Sequence, residues 1–436
     1  MIRAHAFKYA LLLALVAGVS ACDMDLVDPN NPEETQATGT VAGLKQIGVG
    51  LQATYANELV DPVYISALVT DQIGAIQAAF ESFRNVDAGL PVNNSEGPST
   101  EPWTGQYNVV QVADILIENV PNVEMAAGTE SGLLALAKLF KAMSFGNLLQ
   151  VYERIPLDVG PDNPEPQFAT RQEGLTAVLT LLNEARQHIT ATPVSTEFTT
   201  EVLAPGFNLA NTIDAMIARY SLIAGDNAGA AAAAQLVNLS ILSEFRFVAT
   251  DPNPLWNLWY NSGNAWRMRP QDQVRTNAQS GDQRVGYFVQ ASTTEVASDA
   301  NSPLDNFVRY SSNTHSYPAY YPDEMRLIIA EVRARSNNLQ GALDMLNVVR
   351  TQCTSTLDEP VACLPALTLA NTPTQAAVLD AILRERYYEL FLQGLYWSDL
   401  RRFGKPVKYT FMMVHRGECQ NNQNAPAEVC ELQTID

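Results

Sequence analysis

The chain has 436 residues, of which 47% are hydrophobic, and its 47 acidic residues outnumber 27 basic ones to give a formal net charge of −20. This acidic balance argues against nucleic-acid binding and against docking on anionic lipid through a basic patch, because both need positive charge to meet phosphate groups. The apolar content is sufficient for a large buried core.

The first 22 residues have the form of an export signal. Arg3 and Lys8 precede an apolar run at 9–19, and small residues lead to Cys22. A cysteine at this point is typical of a bacterial lipoprotein, whose two or more acyl chains hold it on a membrane nearly permanently. We expect residues 1–21 to be a signal peptide and Cys22 to carry the lipid; the alternative is an ordinary secretory peptide with an incidental cysteine. The sequence shows no second apolar run of 18 or more residues, so lipid is the expected anchor.

A polar, acidic stretch follows the predicted lipid site. Residues 22–40 contain Pro29, Pro32 and adjacent asparagines, a composition that cannot bury an apolar face. We expect a flexible tether there. Acidic residues next to a lipidated cysteine also act as sorting signals, for inner-membrane retention in some bacteria and surface export in others, and the sequence leaves this choice open.

The remaining cysteines form two close pairs, Cys353 with Cys363 and Cys419 with Cys430. Four cysteines allow three connectivities, and in an exported protein we expect each short loop to close on itself. Each closure is expected to contribute roughly 2–3 kcal/mol by restricting the unfolded chain. A metal site is not indicated, because the cysteine spacing is wide and the four histidines are scattered.

Helical periodicity dominates the rest of the chain. Pro322 followed by Asp323 and Glu324 is a strong helix start, and apolar residues then recur at helical spacing until Asn337-Asn338 breaks the run. A second apolar-periodic stretch at 339–350 completes a predicted helical hairpin. Further helices are predicted at 133–152, 213–224, 228–237 and 378–393.

These helix pairs are unevenly spaced along the chain, which rules out a regular tandem array. Few segments alternate apolar and polar residues as strands do, so only minor β structure is expected, in the loops between about 240 and 320. The sequence therefore predicts a mainly all-α fold of diverged helix pairs joined by long irregular loops.

Two C-terminal blocks resemble the SusD/RagB-like family. The helix pair at 321–350 is similar to that family's AE-x-x-A…A…LN-x-VR pattern, and the block at 382–404, with Gly394, Trp397 and Asp399, is similar to its C-terminal signature. Weaker similarities to the family lie at 103–114, 136–156 and 281–284. The resemblance implies tetratricopeptide-like helix pairs in one domain over residues 41–436, with a loop-rich ligand-binding insertion at about 240–320.

Two positions depart from the family's usual Glu-Gly-x-Arg-Trp. This chain has Gln393-Gly394-Leu395-Tyr396-Trp397, so both the acid and the arginine are absent. We expect this block to pack structurally, with a buried ion pair replaced as a unit, because removing both partners costs far less than leaving one unpaired.

The resemblance also implies a function. Members of this family are lipid-anchored, cell-surface proteins of the outer membrane that bind a nutrient, a glycan or a peptide, and pass it to a SusC-like TonB-dependent barrel; they are not enzymes and need no cofactor. The residues agree, since no nucleophile elbow, zinc motif or phosphate loop is present. The alternatives are a helical-repeat scaffold or assembly lipoprotein with a protein partner only, and a surface glycan hydrolase.

The best candidates for ligand binding are aromatic residues interleaved with asparagine. Such residues on a loop present flat faces for sugar rings and amides for hydroxyl groups, although the same residues often pack a loop onto the core. A second aromatic group, with Tyr310 and Tyr321, precedes the helix at 322. Trp103 and Trp397 are expected to lie in the core. The binding candidates are Trp256, Trp259, Tyr260, Asn261, Asn264, Trp266, Tyr317 and Tyr320.

Overall fold

The computed structural model describes residues 37–431 apart from residue 161 and the segments 261–267, 294–296 and 298–301. This part of the chain is mainly helical, which confirms the predicted fold class. The helices are α1 Val41–Glu58, α2 Val60–Val69, α3 Glu81–Ala88, α4 Gly97–Asn119, α5 Ala127–Val151, α6 Arg171–Ala191, α7 Thr196–Glu201, α8 Leu209–Ala224, α9 Asn227–Ala234, α10 Pro254–Tyr260, α11 Gln273–Thr276, α12 Gln283–Phe288, α13 Pro322–Arg335, α14 Leu339–Thr351, α15 Gln375–Glu389, α16 Tyr396–Arg402, α17 Arg416–Asn421 and α18 Ala427–Cys430.

Within the described ranges, the β-strands form four short antiparallel pairs. They join β1 to β5, β2 to β3, β4 to β8 and β6 to β7, and most of these strands lie between residues 240 and 320 as expected. The strands are β1 Ile73–Ala75, β2 Ile155–Pro156, β3 Phe168–Ala169, β4 Glu244–Phe245, β5 Met268–Pro270, β6 Val289–Gln290, β7 Asn306–Phe307 and β8 Tyr317–Pro318.

Helix α5 is the centre of the N-terminal half. It packs against α4 and against α6. Helix α6 also contacts α8, α8 packs against α9, and α9 contacts α13. Among the described helices, α5 alone is long and apolar enough to cross a membrane, but 83% of that stretch is buried inside the protein. Its apolar character is therefore used for core packing, and it begins at Ala127, before the predicted start at 133.

The C-terminal hairpin forms as the sequence predicts. Pro322 begins α13, Asn337 takes a left-handed φ of 62° between the helices, and the Asn338 side chain caps α14 by accepting from the Gly341 N–H at 3.0 Å. Leu327, Ala330, Ala334, Leu343 and Leu346 are fully buried between the helices. Local capping and periodicity were sufficient here because both helices bury one continuous apolar face.

Helix α15 differs from its predicted bounds of 378–393. It begins at Gln375, with Thr374 as its cap, and ends at Glu389. Leu392 and Gly394 then take positive φ values of 58° and 72°, which turns the chain sharply before α16. Arg386 and Asp399 fix the two helices together, since two guanidinium N–H groups donate to the carboxylate at 2.8 and 2.9 Å in the buried interface.

Candidate functional site

The predicted aromatic loop is partly a helix. Residues 254–260 form α10, and its Trp259 is fully buried and stacked on Phe307 with ring centroids 4.4 Å apart. The expectation that Trp259 faces a ligand is wrong, because its indole fills the core. Trp256 and Tyr260 are half-buried, and the Tyr260 hydroxyl donates to the Phe307 carbonyl at 2.5 Å.

Four other predicted residues lie outside the described part of the chain: Asn261, Asn264, Trp266 and the lipid-attachment Cys22. Their predicted roles stay predictions.

The tyrosines of the second aromatic group also lie in the hydrophobic core. Tyr317 and Tyr320 are 5% and 0% exposed, and the Tyr317 hydroxyl donates to the Leu392 carbonyl at 2.8 Å. These two residues were predicted to bind ligand, and the structure instead buries both. Tyr317 holds the chain before α13 against the turn after α15, and Tyr320 lies in the hydrophobic core. Trp103 and Trp397 are buried, as expected.

The cysteines pair within each short loop, Cys353 with Cys363 and Cys419 with Cys430, as expected for an exported protein. The first loop carries Asp358, whose carboxylate accepts from Arg309 at 2.5 Å.

Three tyrosines instead line an open cleft of about 530 Å³ at the C-terminal end of α15. We call it the tyrosine cleft. Tyr387 lies between Tyr388 and Tyr396, with ring centroids 4.9 and 4.7 Å away and both neighbouring rings nearly perpendicular to it. Tyr387 and Tyr396 are half-buried, so each presents ring surface to solvent, whereas Tyr388 forms the base with 5% exposure.

Helix geometry and one turn bring these tyrosines together. Asp380, Arg384 and Tyr387 recur at i, i+4 and i+7 on α15, which places them on one face. Tyr396 reaches Tyr387 only because the chain reverses at Gly394, whose left-handed φ favours glycine.

The polar side chains of the cleft come from three further segments. Gln273 and Asn277 lie on and just after α11, Asp71 follows α2, and Lys405 follows α16. The Gln273 amide donates to the Asp71 carbonyl at 2.9 Å, which ties two of these walls together.

Each acidic residue in the cleft has a basic partner. Lys405 pairs with Asp380 at 2.8 Å, and Lys408 pairs with Asp71 at 2.5 Å. The cleft is therefore much closer to neutral than the chain as a whole.

Burial keeps the cleft hydroxyls protonated. It raises the pKa of Tyr388 and of Tyr396 to about 12, and raises the pKa of Tyr387 well above its usual value. In the described part of the chain, none of these three hydroxyls makes an internal hydrogen bond, so each is a donor for a ligand.

A side depression of about 380 Å³ adjoins the cleft. It shares Asp71 and Gln273 with the cleft and extends to Ala297 and Ser302. Together the two spaces suit an elongated ligand. Nowhere in the described ranges do three or more His, Cys, Asp or Glu side chains gather in a way that would hold a metal ion.

The polar face of α15 is the sequence signal for this site. The apolar residues of α15 pointed to its core face, and the opposite face, with Arg384 and Tyr387, is the cleft wall. Within the 393–397 block, Tyr396 packs on Tyr387, as expected, and it also lines the cleft. Gln393 lines a small internal cavity beside Arg219, whereas Tyr396 lines the cleft, so the two positions lie in different surroundings.

Comparisons with known proteins agree with this architecture. Residues 245–436 match the sequence model of the SusD family. None of the curated proteins matches the chain.

Solved structures extend the likeness to the rest of the chain. A SusD superfamily protein from Bacteroides fragilis is 16% identical, with a TM-score of 0.68 over 88% of this chain and 98% of its own. One from Bacteroides thetaiotaomicron is 13% identical, with a TM-score of 0.67 over 91% and 100%. A SusD-like carbohydrate binding protein from Bacteroides vulgatus is 14% identical, with a TM-score of 0.63 over 84% of each chain. The sequence match over residues 245–436 and the fold shared over most of the chain confirm the resemblance to the SusD/RagB-like family seen in the helix blocks.

Proposed function

We propose that this protein is a lipid-anchored, cell-surface binding protein that captures a glycan nutrient and delivers it to a TonB-dependent outer-membrane transporter. The lipoprotein signal ending at Cys22 supports the location, and the SusD-like fold supports the uptake role. The protein acts by binding and positioning its ligand, without chemical conversion.

The tyrosine cleft is the observation that supports a glycan as the ligand. Tyr387 and Tyr396 offer ring surface for the C–H faces of sugar rings, since aromatic faces carry partial negative charge. Asn277 and Gln273 add amide donors and acceptors at the rim, which suit vicinal hydroxyl groups. A cleft with a few placed polar groups around apolar surface is the usual form of a small-ligand site.

Binding should be measured on the full-length, lipidated protein in mild detergent, by calorimetry against a panel of oligosaccharides and a peptide library. We expect an oligosaccharide to bind and the double substitution Tyr387→Ala/Tyr396→Ala to weaken that binding by roughly tenfold or more. The double variant Tyr387→Phe/Tyr396→Phe keeps both rings and removes both hydroxyl groups, so it separates the contribution of ring stacking from that of hydroxyl contacts. Binding of peptides alone, or glycan binding that both double variants leave unchanged, would refute the assignment of the cleft.

The matched control is His188→Ala. His188 lines an open groove of about 510 Å³ beside α5 and α6, close to the tyrosine cleft in size but with no Phe, Tyr or Trp among its described lining residues. This variant should bind glycan as the wild type does.

Delivery to a transporter is tested by purification from outer membranes in mild detergent, with partners identified by mass. A TonB-dependent barrel is the expected partner. A different protein assembly, combined with no glycan binding, would favour the scaffold function.

A further inference from the structure

We propose that the glycan recognised by the tyrosine cleft is anionic, carrying carboxylate groups on its sugars, and that Arg384 is the residue that recognises this charge. The inference rests on the proposed function, because it assumes that the cleft binds a glycan.

The first observation is the pairing of charges in the cleft. Lys405 and Lys408 are engaged by Asp380 and Asp71, at 2.8 and 2.5 Å. Arg384 also lines the cleft and is exposed, and within the described ranges it makes no ion pair or hydrogen bond. Among the described residues, the cleft therefore contains one cation, Arg384, whose charge no other group neutralises.

The acidic character of the chain makes this arrangement unusual. With 47 acidic and 27 basic residues, most arginines should find a carboxylate, and the neighbours of Arg384 on α15 and α12 do. Arg386 pairs with Asp399 at 2.8 Å, and Arg284 pairs with Asp282 at 2.7 Å. Arg384 remains unpaired in a place where a ligand would lie.

The second observation is the position of Arg384 relative to the cleft tyrosines. Arg384 precedes Tyr388 by one helical turn and Tyr387 by three residues, so all three share one face of α15. Burial raises the pKa of Tyr388, and the Arg384 charge acts against that rise, which agrees with their proximity. A sugar stacked on Tyr387 would place its substituents within reach of the guanidinium.

Guanidinium chemistry selects the class of anion. The planar fork of arginine matches a carboxylate through two parallel N–H···O bonds. The three tyrosine hydroxyls add neutral donors around the same position, and the paired lysines prevent Asp71 and Asp380 from repelling an anion. An acidic sugar of the uronate type satisfies all of these groups, whereas a neutral sugar leaves Arg384 without a partner.

The test uses two probes with the same sugar backbone that differ at the carboxyl groups: an oligogalacturonate and its uncharged, fully methyl-esterified form. Affinities are measured by calorimetry on the full-length, lipidated protein. We expect the acid form to bind at least tenfold more tightly than the ester, and increasing salt to weaken only the acid form. Arg384→Gln should bring the two affinities within about threefold of each other, and Arg384→Lys should keep part of the preference.

The control is Arg246→Gln, which removes an exposed arginine bound to Glu244, outside the residues that line the cleft. It should retain the preference for the acid form.

Three outcomes overturn the inference, and they are distinguishable from failure of the proposed function. Equal binding of acid and ester by the wild type refutes charge recognition but keeps glycan binding. Tighter binding of a sulfated oligosaccharide than of the oligogalacturonate refutes the carboxylate assignment. A preference for acid that Arg384→Gln leaves unchanged refutes the role of Arg384. Absence of binding to any glycan would refute the proposed function itself.

Discussion

Replacing Glu324 by Leu should destabilise the protein by about 3 kcal/mol, because it leaves a buried guanidinium without its counter-charge. Glu324 is fully buried and Arg219 is 8% exposed. The two Glu324 oxygens accept from Arg219 at 2.8 and 2.6 Å, and a third arginine contact goes to the Ala319 carbonyl at 3.2 Å. This pair joins α8 to the first turn of α13.

The size of the destabilisation depends on whether one partner of the ion pair is removed or both. Arg219→Met should cost about 3–5 kcal/mol, since it leaves a fully buried carboxylate unpaired. If the two changes acted independently, the double replacement would cost the sum. A buried pair replaced as a unit by apolar residues is often nearly neutral, so Arg219→Met/Glu324→Leu should lie within about 2 kcal/mol of the wild type.

The assay is urea unfolding of the full chain with its disulfides intact, followed by circular dichroism and compared through the midpoint at constant slope. Arg246→Gln is the control, because its pair with Glu244 is exposed and should contribute within about 0.5 kcal/mol. A double variant that loses as much as the two single variants together would show that the unpaired charge is not the cause, and the reasoning would fail.

Two further predictions concern the turn beside the cleft and the pH dependence of folding. Gly394→Ala should destabilise the protein by roughly 1–2 kcal/mol in the same assay, because Gly394 has a φ of 72° that favours glycine; an unchanged midpoint would contradict this. Burial raises the pKa of Glu101 to about 7, while a hydrogen bond from the Tyr64 hydroxyl lowers it. The folded state therefore binds the proton more tightly than the unfolded chain, whose carboxyl has a pKa of about 4.5, so the free energy of unfolding should fall as pH rises from about 4.5 to about 7. Glu101→Gln should flatten that dependence, and a slope equal to that of the wild type would refute the assignment to Glu101.

Local sequence determined the C-terminal helical hairpin and the cysteine pairing. Pro322 fixes the start of α13, Asn338 caps α14, and apolar residues at helical spacing mark the faces that meet between them. Each of these signals acts within a few residues, where backbone hydrogen bonding and capping decide the conformation. The short cysteine loops are equally local, since only ten or eleven residues separate the partners.

The tertiary structure alone decided which aromatic residues face solvent. Trp259 and Tyr387 both lie on helices in aromatic-rich segments, yet Trp259 stacks on Phe307, and Tyr387 opens to the cleft. The difference comes from segments distant in the chain: β7 covers α10, whereas α11 and the residue after α2 approach α15 only at the rim. Whether the Arg384 charge is paired depends on the same long-range packing, because the helices that surround α15 determine whether a carboxylate reaches it. Periodicity shows that a helix has two faces, but what covers each face is a property of the whole folded chain.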